Sequence, residues 1–471
     1  MLCFFEQHAL GNVSVRRRVW LRLAGLSALA PALPARAAPP RLGVRPARSV
    51  IVVFASGGQS QLDIWDPKPH APREVRGEFS PIATSVPGTF ICEHLPRLAR
   101  LADRYALIRT MSHLDLDHGS AVYLSLTGQY HSRISSNPPP RPTDLPSIMS
   151  VYKRLRPEAG TIDQALEING PAIVAPQDVA PGQFGGSLGG EFDPLILGNV
   201  SEQAQGVSAL SGLADLSAVR IESRGKLLDS LDRHLRQVES HPRLMQLQGH
   251  YHKALALLAD PRTRLAFDLS AEPEALRDRY GRHRSGQACL LARRLAQAGV
   301  PLITVIWNHH SRGQDRAPQD ADACGWDTHN DIFETLKNPL LPRFDQSLSA
   351  LLEDLESRGM LEETLVICMG EFGRAPLVAL EPGFAGSTPG RKHWAAAYSI
   401  LAAGAGVSRG LLLGKTDRHA AYPASERFGP WDVAATIFAA LGVDPADHYS
   451  DSLDRPLPVS VGRPITALYA G

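Results

Sequence analysis

The chain has 471 residues, a formal net charge of +1 at pH 7, 44% hydrophobic residues and 21% charged residues. This is the composition of a globular protein able to bury a core, and its balanced charge excludes the strongly basic surface that marks nucleic-acid binders. No long run of like charge in the body of the chain suggests an arm for a membrane surface.

Arg16-Arg17-Arg18 precede Val19-Trp20-Leu21, and an Ala- and Leu-rich stretch runs from Leu23 to about Leu33. Ala35-Arg36-Ala37 then offers small residues for cleavage. That order predicts an export signal over 1–38, and the paired arginines before an aromatic and a leucine resemble the twin-arginine type. Gly25 and Pro31 interrupt a short apolar stretch, so it makes a poor membrane span, and no later stretch reaches membrane length. The expected mature protein is periplasmic or extracellular, with no integral membrane segment. Its cysteines, Cys92, Cys289, Cys324 and Cys368, lack C-x-x-C spacing, which argues against a zinc knuckle or a disulfide scaffold.

From there the pattern alternates. Ser49 to Phe54 is a continuous β-branched run ending in Gly57-Gly58, as in a strand buried on both faces. Pro96 to Tyr105 reads as a helix, Ala106 to Met111 as a strand, and Ser120 to Leu126 as a helix closed by Thr127-Gly128. Residues 134–147 and 170–200 are rich in Pro, Gly and Ser, and Leu216 to Ala298 has helical spacing. An irregular and helical insertion is therefore expected at about 134–298. Strands follow at Pro301 to Trp307, Thr364 to Met369 and Tyr398 to Ala402, with helices at Leu340 to Arg358 and Pro430 to Leu441. Such alternation predicts an α/β domain over 48–471, with a mostly parallel sheet between helices and ligands at the carboxyl ends of the strands.

The polar clusters fall at those ends. In Gly325-Trp326-Asp327-Thr328-His329-Asn330, Asp327 and His329 share one side of an extended segment, and carboxylate plus imidazole suits a divalent ion. In the competing reading, Asn330 or Asp331 caps the helix that follows. Glu371 stands just after a buried strand, where an unpaired carboxylate is costly, so it is a ligand candidate. Arg374 beside it is a candidate anion binder or the partner of Glu371 in a surface pair. In Arg391-Lys392-His393-Trp394, His393 is a further ligand candidate and Lys392 could hold an anionic substrate. Asp63 and Asp66 follow Gly57-Gly58 as ligands or turn residues, Asp66 before Pro67 favouring the turn. His118 and Ser120 open a helix, where the local field favours an ionised oxygen; Ser120 is a nucleophile candidate or an N-cap.

These motifs together resemble a family. Gly57-Gly58-x-Ser60-x-Leu62-Asp63-x-x-Asp66-Pro67-Lys68, His118-Gly119-Ser120, Leu126-Thr127-Gly128, Trp326-Asp327-Thr328-His329, Gly370-Glu371-Phe372-Gly373-Arg374 and His393-Trp394 are similar to those of the exported domain of unknown function 1501 proteins. That family resembles distant members of the alkaline phosphatase and sulfatase superfamily. The resemblance implies an alkaline-phosphatase-like, three-layer α/β/α fold with a mixed, mostly parallel sheet. It implies a divalent metal (Zn, Mn, Ca or Mg) held by Asp327, His329, Glu371, His393 and Asp63. Ser120, His118, Lys392 and Arg374 are then the expected catalytic residues, acting on a small anionic ester or a sulfated glycan. The sequence departs from the superfamily at Phe372, which stands where a second ligand is usual and cannot bind metal. Two readings follow: a metal-dependent hydrolase of sulfate or phosphate esters, or a non-catalytic exported binding protein that keeps the fold. No nucleic-acid partner is expected in either.

Overall fold

The computed structural model describes residues 43–157, 163–174, 178–201, 265–307 and 325–470. The predicted export signal at 1–38, Cys324 and most of the helical stretch expected from Leu216 lie outside the described residues. The apolar runs become the strands of one sheet: β1 (Ser49–Phe54), β2 (Tyr105–Met111), β3 (Ala165–Ile168), β4 (Leu195–Leu197), β5 (Leu302–Ile306), β6 (Thr364–Met369), β7 (Tyr398–Ala403) and β8 (Leu412–Leu413). Their spatial order is β8-β2-β7-β6-β1-β5-β3-β4. β7 runs antiparallel to both neighbours, β2 and β6, and the other pairings are parallel.

Side-chain alternation divides the strands between two apolar layers. Ile51, Val53, Val366 and Cys368 face a core that includes Leu290 and Leu291 of the helix Arg284–Gln297 and Leu348 and Leu351 of the helix Leu341–Ser357. Val50, Val52, Leu365 and Ile367 face the opposite core, with Val122 of helix α1 (His118–Thr127), Val151 of α2 (Ile148–Leu155) and Ile437 of the helix Pro430–Ala440. Helices therefore cover both faces of a mixed, mostly parallel sheet. Cys92, Cys289 and Cys368 are buried and free. No helix among the described residues is long and apolar enough to cross a membrane.

Two regions differ from expectation. Within the stretch expected to be an insertion, β3 and β4 join the sheet on the far side of β5. β3 spans four residues and is broken by the ionisable Glu167, and β4 spans only three, so neither has the apolar run that identifies a buried strand. The helix expected from Pro96 to Tyr105 ends at Arg100, and a 3-10 turn at Ala102–Arg104 leads directly into β2.

The topology gathers the polar segments at one edge. Parallel pairing aligns Phe54, Ile306 and Met369 at the carboxyl ends of β1, β5 and β6. Tyr398, at the start of antiparallel β7, pairs with Met111 at the end of β2. The segments after β1, β2, β5 and β6 and the segment before β7 thus meet at one end of the sheet.

Candidate metal centre

Asp327 sits on the segment that follows β5 in the chain, anchored by Trp326 N–H to the Ser56 carbonyl (3.2 Å) and by the buried indole of Trp326 against Phe344 (centroids 5.2 Å apart). His329 Nε2 and His393 Nε2 approach the same carboxylate oxygen, Asp327 Oδ1, at 3.2 and 3.3 Å, and are 2.9 Å from each other. The other oxygen, Oδ2, is 3.2 Å from His118 Nε2. One donor atom each from His118, Asp327 and His393 lie within 4.8 Å of one another. Asp327 is otherwise held by one guanidinium nitrogen of Arg374, 2.8 Å from Oδ1.

The surrounding contacts set which ring nitrogens face inward. His393 Nδ1–H donates to the Leu116 carbonyl at 2.7 Å, which leaves Nε2 as the acceptor facing Asp327. The ring of His329 is stacked on Phe384, with centroids 3.7 Å apart. Glu371 Oε1 accepts from His118 Nδ1–H at 2.6 Å and from Gly57 N–H at 2.8 Å, and the Glu371 carbonyl accepts from His113 at 2.7 Å. Phe372 packs between the imidazoles, its centroid 4.9 Å from His118 and 4.6 Å from His393. Its ring would clash with any Cβ at residue 58, so Gly58, at φ 80°, is required there.

Burial and charge fix the ionisation. Burial opposes the Asp327 charge, but His118 and Arg374 outweigh it and hold the carboxyl well below the usual carboxylate range. Burial, reinforced by the charge on His118, pushes His393 down to about 3, and burial also lowers His329. Burial would lower His118 as well, but Asp327 and Glu371 hold it up at about 9. One ionised carboxylate and two neutral imidazoles are a donor set that suits a divalent ion such as zinc or manganese. The orphan atoms fit the same picture. Glu371 Oε2 and His329 Nδ1 are buried without a hydrogen-bond partner, and His118 Nε2 is not aligned for a hydrogen bond to its neighbour.

Of the residues expected in the site, the fold brings together Asp327, His329, His393, His118, Glu371 and Arg374. It places the others elsewhere. Asp63 lies in a two-pronged pair with the buried Arg391 (Nε–Oδ2 2.7 Å, Nη2–Oδ1 2.9 Å) and also accepts from Ser60 at 2.5 Å, so its oxygens are already engaged. Lys392 is 63% exposed and reaches Glu381 at 3.2 Å, away from the cluster. Ser120 is neither the cap nor turned to the cluster. Asp117 caps α1, and Ser120 Oγ donates to Asp115 at 2.7 Å. Arg374 lies in the site, but not as a free anion binder. Its nitrogens donate to the carbonyls of Gly57, Gly58, Trp326 and Arg391 and to Asp327. Asp331 holds the N-cap position of the helix Ile332–Thr335 at φ 52°, but its side chain makes no cap bond and accepts from Ser387 and Thr388.

Arg391 was the residue hardest to find from sequence. In an extended segment Arg391 and Lys392 point to opposite sides, so one of them must turn inward. Nothing local decides which. The buried Asp63 does.

Residues 47–469 match the family described as Protein of unknown function (DUF1501), and the chain belongs to it. No curated protein matches it in sequence. Among solved structures, it is similar to the phosphonate monoester hydrolase SpPMH from Silicibacter pomeroyi at 12% identity and a TM-score of 0.41, covering 90% of this chain and 76% of that one. It is also similar to the PsFucS1 sulfatase from Pseudoalteromonas sp., at 12% identity and a TM-score of 0.36, covering 92% and 72%. A magnesium-bound variant of TAB5 alkaline phosphatase is similar at 12% identity and a TM-score of 0.35, covering 85% and 99%.

Proposed function

We propose that the protein is an exported hydrolase of sulfate or phosphate esters that works with a single divalent ion. The observation that supports this reading is the convergence of His329 Nε2 and His393 Nε2 on Asp327 Oδ1, within 3.3 Å, at the carboxyl edge of the sheet. Asp327, His329 and His393 would hold the ion. When bound, it would supply Lewis-acid polarisation of an ester oxygen and stabilise charge that develops in the transition state.

The chain's own groups prepare that chemistry. Arg374 fixes Asp327 through one contact, and the Leu116 carbonyl fixes the tautomer of His393. Phe372, in an apolar cluster with Ala121 and Ala395, occupies the side of the site next to Glu371 with a ring that offers no ligand atom. This supports one ion rather than two. With Ser120 committed to Asp115, the attack is assigned to water rather than to a side chain. The predicted twin-arginine signal at 1–38 fits a route by which a protein crosses the membrane folded, with its metal in place.

One observation favours the second reading, a metal-holding binding protein without catalysis. The donors of Arg374 are occupied and Lys392 is turned away, so neither is free to grip an anionic ester. Hydrolysis of aryl phosphates and aryl sulfates, measured on protein loaded with zinc or manganese, separates the two. Turnover that depends on the metal and is lost in Asp327→Ala supports the hydrolase. Bound metal without turnover on any ester moves the assignment to the binding protein.

A further inference from the structure

Resting on the metal-site reading above, we infer that His118 is a further ligand of the ion, and that Glu371 is not a ligand but the positioning residue that aims it. The two roles are the reverse of what residue type alone suggests, since a carboxylate after a strand end is the more usual ligand.

Glu371 Oε1 takes two donors, His118 Nδ1–H at 2.6 Å and the Gly57 N–H at 2.8 Å, and although its Oε2 has no partner, Glu371 is not among the three residues whose donor atoms gather within 4.8 Å. A hydrogen bond from one ring nitrogen to a carboxylate fixes the tautomer and directs the other nitrogen. That other nitrogen, His118 Nε2, faces Asp327 Oδ2 at 3.2 Å, and His118 groups with Asp327 and His393 within 4.8 Å; to take an ion it would release its proton, as any ligand imidazole must. Glu371 itself is pinned on its main chain, where its carbonyl accepts from His113 at 2.7 Å. Both side chains are buried, so the carboxylate–imidazole pair is shielded from competing water. His118 opens α1, whose Asp117 cap and Gly128 end set the helix rigidly beside the site. The Phe372 ring at 4.9 Å closes the remaining side of the imidazole. His118 is thus supported on three sides and faces Asp327 and the ring of His393, whose centroid is 4.4 Å away.

The test is zinc binding by the purified protein, followed by competition with a chromophoric chelator. Zinc-edge X-ray absorption counts the imidazoles, and thermal unfolding of the metal-free forms checks the fold. The wild type is expected to bind one zinc with three imidazoles, from His118, His329 and His393. His118→Ala is expected to show two imidazoles. Where the alanine variant does not fold, His118→Gln, which can still bond to Glu371, is read in the same way. Glu371→Ala is expected to weaken zinc affinity roughly 10- to 100-fold, the range seen when the partner of a ligand histidine is lost. Glu371→Gln, whose amide oxygen still accepts the Nδ1–H, should recover part of that loss. Two imidazoles in the wild type, unchanged in His118→Ala, would overturn the inference while leaving the metal site standing. Unchanged zinc affinity in Glu371→Ala would overturn the positioning role. A wild type that binds no zinc and no manganese would remove the metal reading and this inference with it.

Discussion

Two arginine–aspartate pairs lie buried near the same edge of the sheet, and they do opposite things. Arg391 meets Asp63 through two nitrogens, at 2.7 and 2.9 Å, and Ser60 adds a third donor. Arg374 meets Asp327 through one nitrogen at 2.8 Å, with its other donors directed at main-chain carbonyls. Both guanidinium groups are fully buried. The first pair closes its carboxylate. The second orients a carboxylate and leaves both of its oxygens facing imidazoles. Burial and an arginine neighbour therefore do not distinguish a closed carboxylate from an open one; the number of its oxygens already taken does.

The largest effect is expected at the open pair. Asp327→Ala with His329→Ala is expected to reduce bound metal to background by elemental analysis. Ester hydrolysis should fall by roughly a thousand-fold, in line with the several kcal/mol that a Lewis-acid ion supplies. Retained metal in the double variant would show that the open carboxylate is not a ligand.

At the closed pair the expected effect is on stability. Asp63→Asn leaves the buried Arg391 without its counter-charge and should cost about 3–5 kcal/mol in denaturant unfolding. The folded fraction should keep its metal. Loss of metal with unchanged stability would assign Asp63 to the site after all.

A third buried carboxyl sharpens the contrast because it has no arginine. Glu167 is fully buried in β3, neither of its oxygens has a hydrogen-bond partner, and burial pushes its pKa up to about 8. The native state therefore holds a proton that the unfolded chain releases near its ordinary value of about 4.3. The Glu167 contribution is fully present below that value and is lost as pH rises through about 8. Thermal unfolding should show stability falling across this window, by an amount on the order of a few kcal/mol. Glu167→Gln should flatten the decline. An equal decline in the variant would place its cause elsewhere.

The smallest effect is expected at Lys392, whose exposed pairing with Glu381 is of the kind worth little. Lys392→Ala should change stability by less than about 0.5 kcal/mol and leave ester hydrolysis unaltered. A large loss of turnover, measured as kcat/KM, would restore Lys392 as a substrate-binding residue.

Much of the fold was legible in the sequence. Ser49–Phe54 and Thr364–Met369 are unbroken apolar runs, and such runs form central strands because any other placement leaves them in water. The segment from Trp326 to His329, the pairing of Glu371 with a strand end and the histidine before Trp394 were equally visible as polar groups where polar groups are costly. β3 and β4 were not visible, because two short strands with an ionisable residue among them lack a periodic signal.

The division of labour among the polar residues belonged to the tertiary structure alone. Asp63 and Asp327 are alike by local criteria, each a carboxylate that follows a buried strand in the chain. Arg391 lies 328 residues from the aspartate it closes, and Glu371 lies 253 residues from the histidine it orients. A hydrogen bond is saturated by whatever donor the fold brings within 3 Å, and that is a property of packing between distant segments. Composition and period select which side chains are buried; only the assembled sheet edge decides which of them still has a lone pair to offer.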